Sequence, residues 1–138
     1  MKTAFSTLIL VATAGLLAGC QTSMLKPESG NATLATVKHP IFWGDTRITV
    51  LHNGKSYTGV AGELIDETTD ERADSFGWKP GHRHPNIKQE MKFQFGTTTL
   101  TANDGTLLVC AHMKHGDNWR LRCSTTLGEE IKLYPFKQ

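Results

Sequence analysis

Two cysteines placed symmetrically about a turn signal constrain the fold of this chain more than any other feature. Gly116-Asp117 is a favoured pair for a two-residue β-hairpin turn, with glycine in the first position. Counting outward from this turn, Cys110 and Cys123 fall directly opposite each other. The alternation of an antiparallel ladder makes them a non-hydrogen-bonded pair, where strands approach most closely, and this suits a disulfide. The spacing therefore predicts a hairpin crosslinked by Cys110 and Cys123.

The rest of the chain beyond residue 35 also carries signals for β-strands. The β-branched stretch Arg47–His52 is followed by Asn53-Gly54, a strong hairpin signal, which sets Tyr57 opposite Val50. Similar apolar or β-branched stretches recur up to residue 134, separated by turn residues. We therefore expect an all-β fold, a small antiparallel sandwich or barrel of about seven strands built from hairpins, with one disulfide.

Two details of this pattern lead to specific expectations. The alternation around Phe93 and Phe95 points both rings, with Met91, toward the core, and Gly96 is expected to end that strand. In the Cys110–Cys123 hairpin, Arg120 and Arg122 flank Leu121, so one face of the hairpin carries charge, as is common for a sheet solvated on one side.

Residues 1–19 have the layout of an export signal. Lys2 precedes an apolar run that ends in Leu17-Ala18-Gly19-Cys20. This tetrapeptide resembles the lipobox of bacterial lipoproteins, and the resemblance implies cleavage before Cys20, a thioether-linked diacylglycerol on Cys20 and acylation of the new amino terminus. The alternative, an uncleaved membrane anchor, fits less well because a span needs about 20 apolar residues and this run is shorter.

The resemblance also predicts location and domain organisation. Gln21 occupies the position where an aspartate would suggest retention in the inner membrane, so we expect an outer-membrane lipoprotein that faces the periplasm. That compartment is oxidising, which favours the disulfide. The polar stretch 20–35 is expected to be a lipidated tether, and residues 36–138 a single β domain.

Charge and composition limit the classes of partner that the chain is expected to bind. The chain has 15 basic and 13 acidic side chains, a near balance that argues against nucleic acid as a partner. We expect membrane attachment through the lipid on Cys20, no other cofactor, and a protein partner in the envelope.

A long polar stretch at 66–88 interrupts the β pattern. Loops of this length inside small domains are usually functional or disordered. Within it, Trp78, His82, Arg83 and His84 are the candidate partner-binding residues. An exposed tryptophan can anchor a partner, although Trp78 is equally suited to cover the core. Trp43, by contrast, is expected to pack inward.

His82 and His84 raise the alternative of a metal site. In an extended segment their imidazoles lie on one side, where both can reach one metal ion. A third ligand would have to come from elsewhere, and the candidates are His39, His52, His112, His115, Asp70 and Glu71. Two histidines alone form a weak site, so metal binding is the second hypothesis.

No catalytic motif is recognisable in the sequence. There is no G-x-S-x-G, no H-E-x-x-H and no phosphate-binding glycine loop, and we assign no catalytic residue. The sequence therefore predicts a lipid-anchored, non-enzymatic binding or interaction module of the envelope. The alternatives are a metal-binding lipoprotein that uses His82 and His84, and a small envelope hydrolase, which a deep pocket would favour and a filled barrel would oppose.

Overall fold

A computed structural model describes residues 20–28, 33–67, 75–77 and 93–136, and within these ranges the structure is all-β. None of the described residues forms a helix long and apolar enough to cross a membrane. The nine strands in this part of the chain are β1 (Cys20–Lys26), β2 (Leu34–Pro40), β3 (Arg47–His52), β4 (Lys55–Val60), β5 (Ile65–Glu67), β6 (Phe93–Thr101), β7 (Leu107–His115), β8 (Asn118–Thr125) and β9 (Glu130–Pro135).

Eight of these strands close into an antiparallel barrel, which confirms the predicted fold class and selects the barrel. Neighbours follow the order β4, β3, β2, β1, β9, β8, β7, β6, and the ring closes where Thr58 of β4 pairs with Thr101 of β6. The short β5 pairs with the other half of the same edge of β6. The ring is continuous among the described strands, with short seams of two residue pairs between β1 and β9 and one pair between β4 and β6.

The barrel interior is filled by apolar side chains. Residues alternate along each strand, so every second side chain points inward. Val50 lies opposite Tyr57 as the hairpin signal predicted, and both are buried with Ile48. The same cluster includes Leu25, Ala35, Val37, Leu100, Ala102, Leu108, Cys110, Trp119, Leu121, Cys123, Ile131 and Leu133.

The hairpin of β7 and β8 has the predicted register. His115 pairs with Asn118 beside the turn, and Cys110 pairs with Cys123, to which it is joined by a disulfide. Both cysteines are fully buried in the interior. A crosslink that closes so short a loop contributes about 2–3 kcal/mol to stability.

A second apolar cluster lies on the outer face of the barrel wall. This outer cluster consists of Phe76, Phe93, Phe95 and Met113, packed with Ala111. Phe93 and Phe95 are buried, as expected, but they face away from the interior and lie beneath Phe76 of the turn at 75–77. Met91 lies outside the described residues. The middle of the expected long loop is thus folded back onto the barrel.

The expected tether at 20–35 is wrong for Cys20–Lys26, which form β1, and for the start of β2. β1 pairs with β2 along its whole length up to Leu25 and also contacts β9, so it completes the ring. Leu25 is fully buried in the core. Together with β5, whose last two residues lie within the predicted 66–88 loop, β1 raises the strand count of the described residues above the predicted seven.

Two further expectations are corrected. β6 continues through Gly96, because the ladder with β7 is unbroken and a Cβ at Gly96 would lie 2.3 Å from Cε1 of His112. The glycine makes room for the opposing imidazole and does not end the strand. Trp43 does not pack inward but is 86% exposed, since it lies in the connection between β2 and β3, beyond the barrel wall.

Candidate functional site

The structure places some of the candidate residues from the sequence and leaves others outside its description. Cys20 is an exposed, free thiol at the first residue of β1. Trp78, His82, Arg83 and His84 lie outside the described residues, as do Asp70 and Glu71. The partner-binding role of this loop therefore stays a prediction from the sequence.

The described histidines are not gathered into a metal site. His39 Nδ1 is hydrogen-bonded to Thr46 Oγ1 at 2.6 Å, and His52 Nδ1 to Thr33 Oγ1 at 2.8 Å. Within the ranges that the structure describes, no group of three His, Cys, Asp or Glu side chains is close enough to hold a metal ion. A metal site would depend on the undescribed His82 and His84.

His112 is enclosed in the barrel core. Its ring is fully buried, 5.8 Å from the ring of Trp119, and neither ring nitrogen has a hydrogen-bond partner among the described residues. Burial lowers the pKa of His112 to about 4, so the imidazole is neutral at pH 7. The ring is closed off from solvent, which separates it from any surface site.

A groove of about 670 Å³ lies on the outer wall of the barrel. Its floor is the outward face of β7 and β8, and its sides are the segments 26–28, 75–77 and 134–136. The lining residues are Lys26, Pro27, Glu28, Gly77, Met113, His115, Asn118, Arg120, Tyr134, Pro135 and Phe136. We call this concavity the outer groove.

Two cations of the outer groove lie against aromatic rings. Lys26 Nζ is 5.0 Å from the ring centroid of Phe136, and Arg120 Cζ is 5.6 Å from that of Tyr134. Arg120 Nη1 also donates to the carbonyl oxygen of Phe76 at 3.3 Å. These contacts fix the positions of the positive charges. Burial lowers the pKa of Arg120, but a guanidinium remains protonated at neutral pH.

The local sequence explains why these side chains face outward. Trp119 and Leu121 are buried in the interior, so the intervening Arg120 points out, and Tyr134 does so because Leu133 points in. Gly77 permits the close approach of the 75–77 turn, since a Cβ there would lie 2.6 Å from Cε1 of Tyr134. Its φ of 72° also favours glycine.

The outer groove can recognise a ligand that combines a carboxylate with apolar surface. Guanidinium and ammonium groups bind carboxylates through charge-assisted hydrogen bonds, and the aromatic rings offer apolar contact. Glu28 is the acidic residue of the lining, against Lys26 and Arg120. The sequence showed the charged hairpin face with Arg120, but not the rings and segments that turn it into a groove.

Comparison with protein-family models, with curated proteins and with solved structures finds no match for this chain. The interpretation of the site therefore depends on its own geometry.

Proposed function

We propose that this chain is a lipid-anchored binding module of the bacterial envelope. It is held at the outer membrane by an acylated Cys20, faces the periplasm and binds an envelope protein without catalysing a reaction. The binding role is supported by the outer groove, in which Lys26 and Arg120 lie over aromatic rings.

The anchor is supported by the state of Cys20 and by the sequence before it. The lipobox-like Leu17-Ala18-Gly19 precedes a cysteine that is exposed and unbonded, while the other two cysteines are joined and buried. A thioether at Cys20 therefore requires no rearrangement of the core. Several acyl chains hold a protein firmly, because each buried methylene contributes about 0.8 kcal/mol.

The packed interior directs binding to the outside of the barrel. Small barrels that hold a ligand keep an internal cavity, whereas here apolar side chains from all eight barrel strands fill the space. The filled interior also counts against a small hydrolase with a deep pocket. The chemistry of the outer groove favours an acidic, partly apolar segment of a partner protein.

Site-specific photo-crosslinking in living cells tests this role. A photoreactive residue in place of Asn118, which lines the groove, should give a discrete protein adduct. The matched control is the same residue in place of Val109, which is exposed on the same hairpin away from the groove. Lys26→Glu should abolish the adduct formed at position 118, because it reverses one of the two cations. Equal adducts at both positions, or none at 118, would contradict the proposal.

A further inference from the structure

An exposed apolar loop follows β2 at the end of the barrel. Ile41, Phe42 and Trp43 are 60%, 78% and 86% exposed. The rings of Phe42 and Trp43 contact each other, with centroids 6.2 Å apart. Three consecutive large apolar side chains in water are unfavourable, and such patches on soluble surfaces commonly mark interaction sites.

This 41–44 loop lies beside Cys20. Cys20 pairs with Pro40 across the β1–β2 ladder, so the loop begins one residue beyond the partner of the cysteine. Neighbouring strands of a sheet lie about 4.8 Å apart, which makes the two positions direct neighbours. A lipid on Cys20 would thus enter the membrane next to Ile41.

No spacer separates Cys20 from the barrel, so a lipid on Cys20 would hold the neighbouring 41–44 loop close to the membrane. β1 begins at Cys20, and that residue is already paired in the sheet. An acyl anchor at Cys20 therefore leaves no peptide tether between the lipid and the barrel. The Cys20 end of the barrel must lie at the membrane surface, and the 41–44 loop must lie there with it.

The charges beside the loop suit an anionic surface. Lys38 and Arg47 are exposed and lie directly opposite each other on β2 and β3. Like charges in this arrangement are unfavourable, and within the described part of the chain neither side chain forms an ion pair. Asp45 supplies one negative charge nearby. Anionic lipid headgroups would relieve the repulsion between the two cations.

We propose that the 41–44 loop is a second membrane contact, in which Phe42 and Trp43 insert into the interfacial layer of the bilayer that holds Cys20. Tryptophan and other aromatic residues favour this layer, because it accommodates both an apolar ring and a polar N–H group. The inference rests on the lipid-anchored placement proposed above. It adds an orientation, since the loop and the anchor together fix which end of the barrel meets the lipid.

Quenching of tryptophan fluorescence by brominated lipid tests the contact. The full chain is produced with its leader, purified from membranes and reconstituted into vesicles of phosphatidylethanolamine and phosphatidylglycerol, with or without bromine on the acyl chains. We expect brominated lipid to quench the wild-type protein, and Trp43→Phe to remove that part of the quenching. Because Trp43 is so exposed, this substitution should leave the melting temperature unchanged.

The chain offers a matched control at the other end of the barrel. Leu127 is 95% exposed in the turn between β8 and β9, remote from Cys20. In a Trp43→Phe background, the indole introduced by Leu127→Trp should not be quenched. Equal quenching of the indoles at the two ends, or none at Trp43, would overturn the inference. A loop that packs on a second copy would shield Trp43 from the lipid and shift the sedimentation of Trp43→Phe, which also overturns it.

Mass spectrometry of the same preparation separates this inference from the anchor. An acylated Cys20 with an unquenched Trp43 would remove the loop contact and leave the anchor standing. An unmodified Cys20 with a quenched Trp43 would remove the anchor and support the loop as a membrane contact in its own right.

Discussion

His112 is an ionisable side chain among apolar ones, and this determines how it responds to pH. Burial favours the neutral imidazole, so the pKa of His112 falls from 6.5 to about 4 on folding. Between these two values the unfolded chain binds more protons than the folded protein. The contribution of His112 to the free energy of unfolding is therefore fully present above pH 6.5. It is lost as the pH falls toward 4.

We predict that the free energy of unfolding decreases by up to about 3 kcal/mol between pH 7 and pH 4 because of His112. Burial also lowers the pKa of His39, which adds in the same direction. Urea unfolding at a series of pH values measures the decrease. In the variant His112→Leu, most of this pH-dependent decrease should disappear, and only the part due to His39 should remain. A pH dependence identical to that of the wild type would contradict this assignment.

At the scale of elements, β1 is a strand that the sequence pattern did not predict. Its polar composition resembles that of a linker, and its burial depends on Leu25, which fills the core while its neighbour Met24 is exposed. The strand is needed because it joins β2 to β9 and so closes the ring.

Truncation of Leu25 distinguishes a barrel strand from a tether. Leu25→Ala should lower the free energy of unfolding by about 2–5 kcal/mol, because it removes a fully buried side chain and leaves a cavity. Met24→Ala, on the exposed side of the same strand, should change stability by less than about 0.5 kcal/mol. Chemical denaturation of both variants provides the comparison. Equal and small effects would mean that β1 is not held in the barrel.

Local signals predicted the hairpins well, and non-local packing explains what they missed. The turns at Asn53-Gly54 and Gly116-Asp117 set the registers of β3–β4 and β7–β8, because pairing across a tight turn depends on nearby residues alone. The outer cluster depends on Phe76 reaching back across the chain to Phe95, and nothing close to either residue encodes that contact.

The candidate site also combines a feature that local sequence predicts with features that depend on distant parts of the chain. The outward position of Arg120 follows from strand alternation, and the sequence predicted a charged face there. The outer groove also needs Gly77 and Phe136, which come from distant parts of the chain. Trp78, His82 and His84, by contrast, were chosen by residue type and remain predictions.

At the scale of the whole molecule, the described strands form a crosslinked barrel, and the attachment point that we propose lies at one end of it. The disulfide and the filled interior stabilise the barrel, and Cys20 lies at one end of it, beside the exposed rings of Phe42 and Trp43. We propose one role for each region: contact with the membrane for the Cys20 end, and binding of a partner protein for the outer groove.

The chemical state of Cys20 tests the central claim most directly. Mass spectrometry of the protein, expressed with its leader in a Gram-negative bacterium and extracted from membranes, measures the mass of the amino-terminal peptide. We predict a chain that begins at Cys20 and carries a thioether-linked diacylglycerol and an amide-linked acyl chain. An intact Met1 with a bare thiol at Cys20, recovered from the cytosolic fraction, would contradict the account.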